Sequence, residues 1–307
     1  RLDQGGELIR IRADPVLRCR LPPGRDQSPG VESGYLVNEQ SIDPQTFEKF
    51  VRLIYDRAGI RLGPNKQALV ASRLGKRMRK VGIPSYKSYF EYIREDRSES
   101  ELVALLDEIS TNVTHFYREP RHFQVLSNII GHWEGQGQKR FRLWCAAAST
   151  GEEPYTIAIT LCETLRSTAD TKILATDLST RVLQRAREGI YESRHMEKVP
   201  RELTGRYFTR SGRGEEQRFT VSRRLKEMVT FARLNLSEIP FPMQGPLDVI
   251  FCRNVMIYFD NEIRKRLLDE MYRLLKPGGY LMVGHAESLS GMLSSFQSVE
   301  PSVYVRP

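Results

Sequence analysis

The run LWCAAASTGEEPY from Leu143 to Tyr155 has the composition of a ligand loop. Phe141 to Ala147 reads as a buried strand, Ala148 to Gly151 as a tight turn of small residues, and Pro154 as a first-turn residue of a helix. Small residues let a ligand approach the backbone, and the unpaired N–H groups of a helix start then face it. The carboxylates of Glu152 and Glu153 in that first turn would repel a phosphate and suit a cationic or hydroxyl-bearing ligand. Asp177 closes the next strand, where an acid typically accepts hydrogen bonds from ribose hydroxyls. Capping the following helix is its competing use, but Ser179 can cap that helix alone. The turn lacks the Gly-x-Gly-x-x-Gly pattern of nicotinamide sites, and the Gly-Lys-Ser/Thr of a phosphate loop is absent. The spacing therefore fits a nucleoside cofactor.

The elements that must hold these groups alternate. After a helix opened by Pro120, the periodicity predicts strand Phe141 to Ala147, helix Pro154 to Arg166, strand Lys172 to Thr176 and helix Thr180 to Gly189. Strand Leu247 to Cys252, helix Asn261 to Leu275 and strand Tyr280 to Gly284 follow. This is the pattern of a doubly wound, mainly parallel sheet, in which ligands bind at the carboxyl ends of the strands. Between Pro200 and Leu234 the rhythm changes, and Arg218 to Ser222 and Met228 to Leu234 read as antiparallel strands of a small β insertion around the turn Ser211 to Gly214. Phe296 to Val299 and Val303 to Val305 read as a closing hairpin.

Upstream lies a helical unit. Phe47, Phe50, Val51, Ile54 and Tyr55 recur at helical spacing from a start at Asp43-Pro44, and Gly59 ends that helix. A second helix sets Val70, Leu74, Met78 and Val81 on one face and Arg73, Lys76, Arg77 and Lys80 on another. Lys66, Arg79 and Lys87 add to this charge, and no acid interrupts Asn65 to Phe90, whereas a merely solvated face usually mixes signs. Two shorter helices follow, the last ending near Asn112. The expected organisation is an extension or linker over residues 1–42, a helical domain over 43–112, and an α/β domain over 113–307 with the β insertion at 200–234.

Composition sets the outer limits. The 307 residues allow two domains, and 40% hydrophobic with 28% charged residues is ordinary globular composition. No apolar run reaches the roughly 18 residues of a membrane span. Cys19, Cys145, Cys162 and Cys252 lack metal-ligand spacing and read as reduced core thiols, so no metal and a cytoplasmic location are expected. A net charge of +9 does not choose between nucleic acid, anionic lipid and an acidic protein.

Six segments in order, NVTHFYRE from Asn112, WCAAASTGEEPYTIAITL, ATDLSTRVLQRAREGIY, FARLNL, IFCRNVMIYFD and LLKPGGYLMVGHAESL, together resemble the CheR family of chemotaxis receptor methyltransferases. The resemblance covers roughly Phe47 to Val305. It implies a class I methyltransferase fold, Rossmann-like, with an N-terminal helical domain and a small antiparallel β subdomain. It also implies methyl transfer from S-adenosylmethionine to chemoreceptor glutamates, giving glutamyl methyl esters and S-adenosylhomocysteine.

Carried onto this chain, the family's site places Asn112, Thr114 and Arg118 on the cofactor from the interdomain connector. Glu153 or Glu152 contacts it, Asp177 takes the ribose, Asn235 and Leu236 border the adenine, and Arg253 and Asn254 lie beside the sulfonium. Arg118 and Tyr258 are the candidate catalytic residues. Arg118 suits a carboxylate because a guanidinium grips one bidentately, and Tyr258 suits a hydrogen bond to the carboxylate or a contact with the methyl. A glutamate with a pKa of about 4.3 is already ionised at neutral pH, so placement of its oxygen at about 3 to 3.5 Å from the methyl matters more than a general base. His115 and His285 therefore read as structural.

Acidic receptor helices around the target glutamates are the expected partner of Arg73, Lys76, Arg77 and Lys80. The β insertion resembles the subdomain that binds a receptor's C-terminal peptide in some members, although the turn Ser211 to Glu216 departs from their glycine pattern. Two other readings compete. A nucleic-acid methyltransferase of the amino-methylating type would carry an Asp/Asn-Pro-Pro-aromatic run where this chain has Cys252-Arg-Asn-Val255, so no nucleic-acid partner is expected. A non-catalytic cofactor-binding scaffold is disfavoured by the intact Arg118, Asp177, Asn254 and Tyr258.

Overall fold

The computed structural model describes residues 42–110, 112–166, 170–287, 289, 292 and 295–307. Of the expected N-terminal extension, residues 1–41 lie outside the described residues, while Ile42 is buried in the helical core.

Helix α1 (Pro44–Ala58) starts where Asp43 accepts the Thr46 N–H at 2.9 Å and stops at Gly59, whose φ of +68° suits glycine. A 3₁₀ turn at Pro64–Lys66 leads into α2 (Gln67–Val81), followed by α3 (Tyr86–Glu95) and α4 (Ser100–Ile109). Phe50, Ile54, Leu74, Tyr89 and Leu105 fill their common core with no exposed surface. Each of these fully buried large side chains contributes about 1.5 to 3 kcal/mol relative to exposure, and together they hold the four helices against one another.

The second unit begins with α5 (Arg121–Gly135) and continues as β1 (Arg140–Cys145), α6 (Glu152–Thr164), β2 (Asp170–Asp177), α7 (Thr180–Glu188) and β3 (Ile190–Glu192). Then come α8 (Arg201–Tyr207), β4 (Phe208–Ser211), β5 (Arg218–Val221), α9 (Arg223–Met228) and β6 (Val229–Arg233). The chain ends with β7 (Leu247–Cys252), α10 (Asn261–Leu274), β8 (Leu275–Val283), β9 (Gln297–Glu300) and β10 (Val303–Val305).

Seven strands form one sheet in the order β6-β2-β1-β7-β8-β10-β9. The first five are parallel, and β10 enters antiparallel to β8 with β9 antiparallel beside it. Alternation along β1 sends Leu143 and Cys145 into the core shared with α5 and α6, and Trp144 into the core shared with α10. Both faces are thus covered, as a parallel sheet requires. The order reverses direction between β1 and β7, which opens the crevice at their carboxyl ends.

The expected β insertion differs from what forms. Met228 to Leu234 does not pair with Arg218 to Ser222: α9 separates the two segments, and β6 joins the large sheet in parallel register with β2, Ile173 opposite Val229 and Asp177 opposite Arg233. The small antiparallel sheet is β3-β5-β4, so it begins at Ile190, before Pro200.

The two units are joined by specific bonds. Tyr55 donates its hydroxyl to Asp260 at 2.5 Å, the Arg61 N–H donates to the Tyr258 carbonyl at 2.8 Å, and Asp107 of α4 accepts the Thr180 N–H and hydroxyl, each at 3.0 Å.

Candidate active site

A cavity lies between the carboxyl ends of the parallel strands and the helical unit. Its floor comes from Ala146, Ala147 and Ser149 after β1, Asp177 and Leu178 after β2, Leu234 to Leu236 after β6 and Arg253 to Val255 after β7. Ile60, Leu62, Lys66, Leu69, Val70 and Arg73 of the helical unit form its roof, and Asn112, Val113, Thr114 and Arg118 of the connector close one side. Asn112, Thr114, Arg118, Glu153, Asp177, Asn235, Leu236, Arg253, Asn254 and Tyr258 therefore all line one space.

The turn that shapes the floor is strained. Gly151 has a φ of +99°, and a Cβ there would sit 2.7 Å from the Tyr191 hydroxyl and 3.0 Å from the Ala186 Cβ, so no side chain fits. Ser149 and Asn254, both in the cavity lining, also hold positive φ without being glycine. Such strain persists only where the surroundings over-determine it, and here it clusters at the cavity rim.

Asp177 is positioned rather than spent. Its carboxylate accepts the Ser149 N–H at 2.8 Å and the Ser179 N–H at 3.0 Å, while Ser179 itself caps α7 by accepting the Val182 N–H. Burial raises its carboxyl above the usual range, and the two N–H groups pull it partly back. The lone pairs that remain are available to the cavity, which Asp177 lines.

Between the paired glutamates the geometry is unequal. Glu153 lines the cavity, whereas Glu152 does not: it is 1% exposed and accepts a bond from the Thr150 hydroxyl at 2.7 Å. Burial raises the Glu152 carboxyl. Glu153 takes the Arg253 Nη1 at 2.5 Å on one oxygen and the Cys145 thiol at 3.2 Å on the other. Arg253 is in turn fully buried, donating also to the Arg118 carbonyl at 2.5 Å and to Glu119 at 3.0 Å, with its guanidinium over the Phe123 ring. It lines the cavity, but its charge is committed to two carboxylates, so it supports the site more than it grips a ligand. This departs from the expected direct role beside the sulfonium. Asn254 donates its N–H to Glu287 at 2.6 Å, and Glu287 also gathers the N–H groups of Gly284 and Ile257.

Asn235 needs correction. Its Nδ2 donates to the Arg57 carbonyl and to Glu238, both at 2.8 Å, and its Oδ1 accepts from the Ser237 N–H and hydroxyl. The side-chain amide is saturated by structure and cannot read an adenine edge. The N–H groups of Asn235 and Leu236 have no acceptor among the described residues, so the backbone is what this segment offers.

The basic face of α2 also differs from expectation. Arg77 is half-buried in a bidentate pair with Glu101, at 3.0 and 2.5 Å, and Tyr89 donates to the same carboxylate at 2.6 Å. Lys76 pairs with Glu108 at 2.7 Å, and Arg73 donates to the carbonyls of Ile109 and Ser110 while lining the cavity. Of the four, Lys80 is exposed and makes no ion pair within the described residues. The acids that neutralise this face come from α4, outside the window in which the face reads as unbroken positive charge.

Sequence reasoning counted Lys66 only as part of the basic run and missed its place at the cavity, where its ammonium lies 5.5 Å from the centre of the Tyr258 ring, and it gave no role to Glu119, which ties the connector to Arg253. Glu119 was within reach, because it ends the NVTHFYRE segment.

Two family models match in tandem: "CheR methyltransferase, all-alpha domain" over residues 45–110 and "CheR methyltransferase, SAM binding domain" over residues 112–305. The chain is 38% identical over 259 residues to the chemotaxis protein methyltransferase of Salmonella typhimurium, covering 84% of this chain and 88% of that one. It is 39% identical over 261 residues to chemotaxis protein methyltransferase 2 of Pseudomonas aeruginosa, covering 85% and 92% respectively. A third relative, the chemotaxis protein methyltransferase of Borreliella burgdorferi, is 36% identical over 272 residues, covering 86% and 95%. Both domain matches meet at the connector that closes the cavity, and the chain belongs to the CheR family of S-adenosylmethionine-dependent methyltransferases.

Proposed function

We propose that this chain methylates glutamate side chains on the cytoplasmic helices of bacterial chemoreceptors, yielding glutamyl methyl esters and S-adenosylhomocysteine in the cytoplasm. The observation that carries the reading is the gathering of Asp177, Glu153, Arg118 and Tyr258 in one cavity roofed by the cationic Lys66 and Arg73. The relatives' names, chemotaxis protein methyltransferases, point to the same substrate class.

The residues present fit the cofactor: a buried carboxylate with spare lone pairs suits ribose hydroxyls, free backbone N–H groups at Asn235 and Leu236 suit a ring edge, and the Gly151 turn leaves room for close approach. When bound, S-adenosylmethionine would supply a methyl group to a carboxylate oxygen of the substrate, the new C–O bond forming as the C–S bond breaks and its electron pair stays on sulfur, so that no proton moves. Arg118 orients the incoming carboxylate from the connector, where its Nη1 is steadied by the Val113 carbonyl at 2.9 Å. Tyr258, held by the Arg61 N–H on its carbonyl and by Lys66 over its ring, lines the same cavity with its hydroxyl available to the substrate. Placement supplies the rate gain. The small sheet has two edge strands, β3 and β4, to which a receptor's C-terminal peptide could add as a further strand.

The test is transfer of labelled methyl from S-adenosylmethionine to membranes enriched in chemoreceptors, with alkaline hydrolysis and an RNA control. Base-labile label on receptor, reduced by more than about tenfold in Tyr258→Phe or Arg118→Ala, is the expected result. Label on RNA alone, or base-stable label on protein, overturns the reading.

A further inference from the structure

Glu119, His122 and His285 converge outside the lining of the cofactor cavity, each offering one ligand atom within 4.8 Å of the other two. His122, in the first turn of α5, is completely buried, and neither of its ring nitrogens has a hydrogen-bond partner among the described residues. Buried polar groups are ordinarily paired, so an imidazole with both nitrogens idle points to a missing ligand. Its Nδ1 stands 3.5 Å from the Glu119 Oε2, and the His285 ring meets it edge-on at 5.2 Å between centres. His285 is exposed and gives the site an opening to solvent.

Two imidazoles and one carboxylate are the donor set of three-ligand zinc sites with a fourth position open to water, and they disfavour magnesium or calcium, which want oxygen alone. The neighbouring Arg253 does not forbid a cation, because its single charge is set against the two carboxylates of Glu119 and Glu153. We propose that Glu119, His122 and His285 form a site for one divalent transition-metal ion of the zinc type. The Glu119 oxygen nearest His122 also accepts from the Arg253 Nη2 at 3.0 Å, and Arg253 holds Glu153 at the cavity floor. An ion there draws carboxylate charge from the guanidinium, so its arrival weakens cofactor binding.

The experiment titrates Zn²⁺ into the chelator-stripped full chain by calorimetry, and Co²⁺ by visible absorption. Expected are one saturable equivalent, d–d bands without sulfur charge transfer, and affinity lost by more than about tenfold in His285→Ala and His122→Asn. His132→Ala, at an exposed histidine elsewhere on α5, leaves binding unchanged. The exposed position of His285 means that His285→Ala retains the native circular dichroism and melting temperature, which separates loss of a ligand from loss of fold. Binding that stays weaker than about 0.1 mM, or saturable binding that survives both His285→Ala and His122→Asn, overturns the site.

Discussion

Replacing Arg253 by Met removes the one cation shared by two carboxylates beneath the active site. In the native protein its side chain has no exposure, and it makes charge-assisted bonds of 2.5 Å to Glu153, 3.0 Å to Glu119 and 2.5 Å to the Arg118 carbonyl. Met fills most of the same volume, so cavity formation contributes little, and the cost comes from leaving Glu153 and Glu119 largely buried without their partner. Breaking a buried pair from one side costs about 3 to 5 kcal/mol, a large part of a total stability of roughly 5 to 15 kcal/mol. Glu153→Gln in the Arg253→Met background removes one stranded charge, so the double variant should recover about 1 to 3 kcal/mol relative to the sum of the singles. Urea unfolding of the four proteins closes the cycle, and calorimetric titration with S-adenosylmethionine reports whether the floor still binds. A loss below about 1 kcal/mol in Arg253→Met, or strict additivity with Glu153→Gln, would refute the claim that Arg253 is the central support of the site.

Asp177→Asn separates binding from stability. Because burial raises the Asp177 carboxyl, its ionised form costs stability at neutral pH, a cost that fades as pH falls through the raised value. The variant should therefore melt at or above the native temperature at pH 7 while losing cofactor affinity by about tenfold or more, and native affinity should decline on acidification from a pH above the ordinary aspartate value of about 3.9. A variant that binds normally, or that melts well below the native protein, contradicts this assignment. On α2, Arg77→Ala should cost about 3 to 5 kcal/mol by stranding Glu101. Lys80→Ala should stay within about 0.5 kcal/mol while reducing receptor methylation more at low salt than at high; equal unfolding midpoints for the two variants would contradict the partition.

What was legible in the chain was local. The strand, small-residue turn and helix start around Gly151, and the acid at the end of the next strand, lie within one βα unit, so periodicity and residue type place them. The small sheet was legible at Arg218 to Val221 but not in its bounds or pairing, for a physical reason: α9 buries only Leu225, which leaves no apolar period to reveal a helix, and β3 is three residues long. Arg77 looked free because Glu101 is brought to it by a helix outside the run of basic residues. Asn235 looked like a ligand because amides suit base edges, yet its Oδ1 accepts the N–H two residues on, a turn pattern that asparagine favours wherever it occurs. The convergence of Glu119, His122 and His285 depends on tertiary structure, since the loop after β8 returns to the start of α5 only in the folded sheet.

Asp107 gives the two units a shared fate. It belongs to α4, yet it serves the amino end of α7, taking the Thr180 N–H and hydroxyl and the Arg181 N–H. An acid at that end completes the helix that follows Asp177, so the segment presenting the ribose acceptor is finished by a residue from the other domain. The helical unit is therefore no exchangeable module. A recombinant that grafts a foreign helical domain onto this sheet inherits an incomplete α7 unless an acid arrives at the same point.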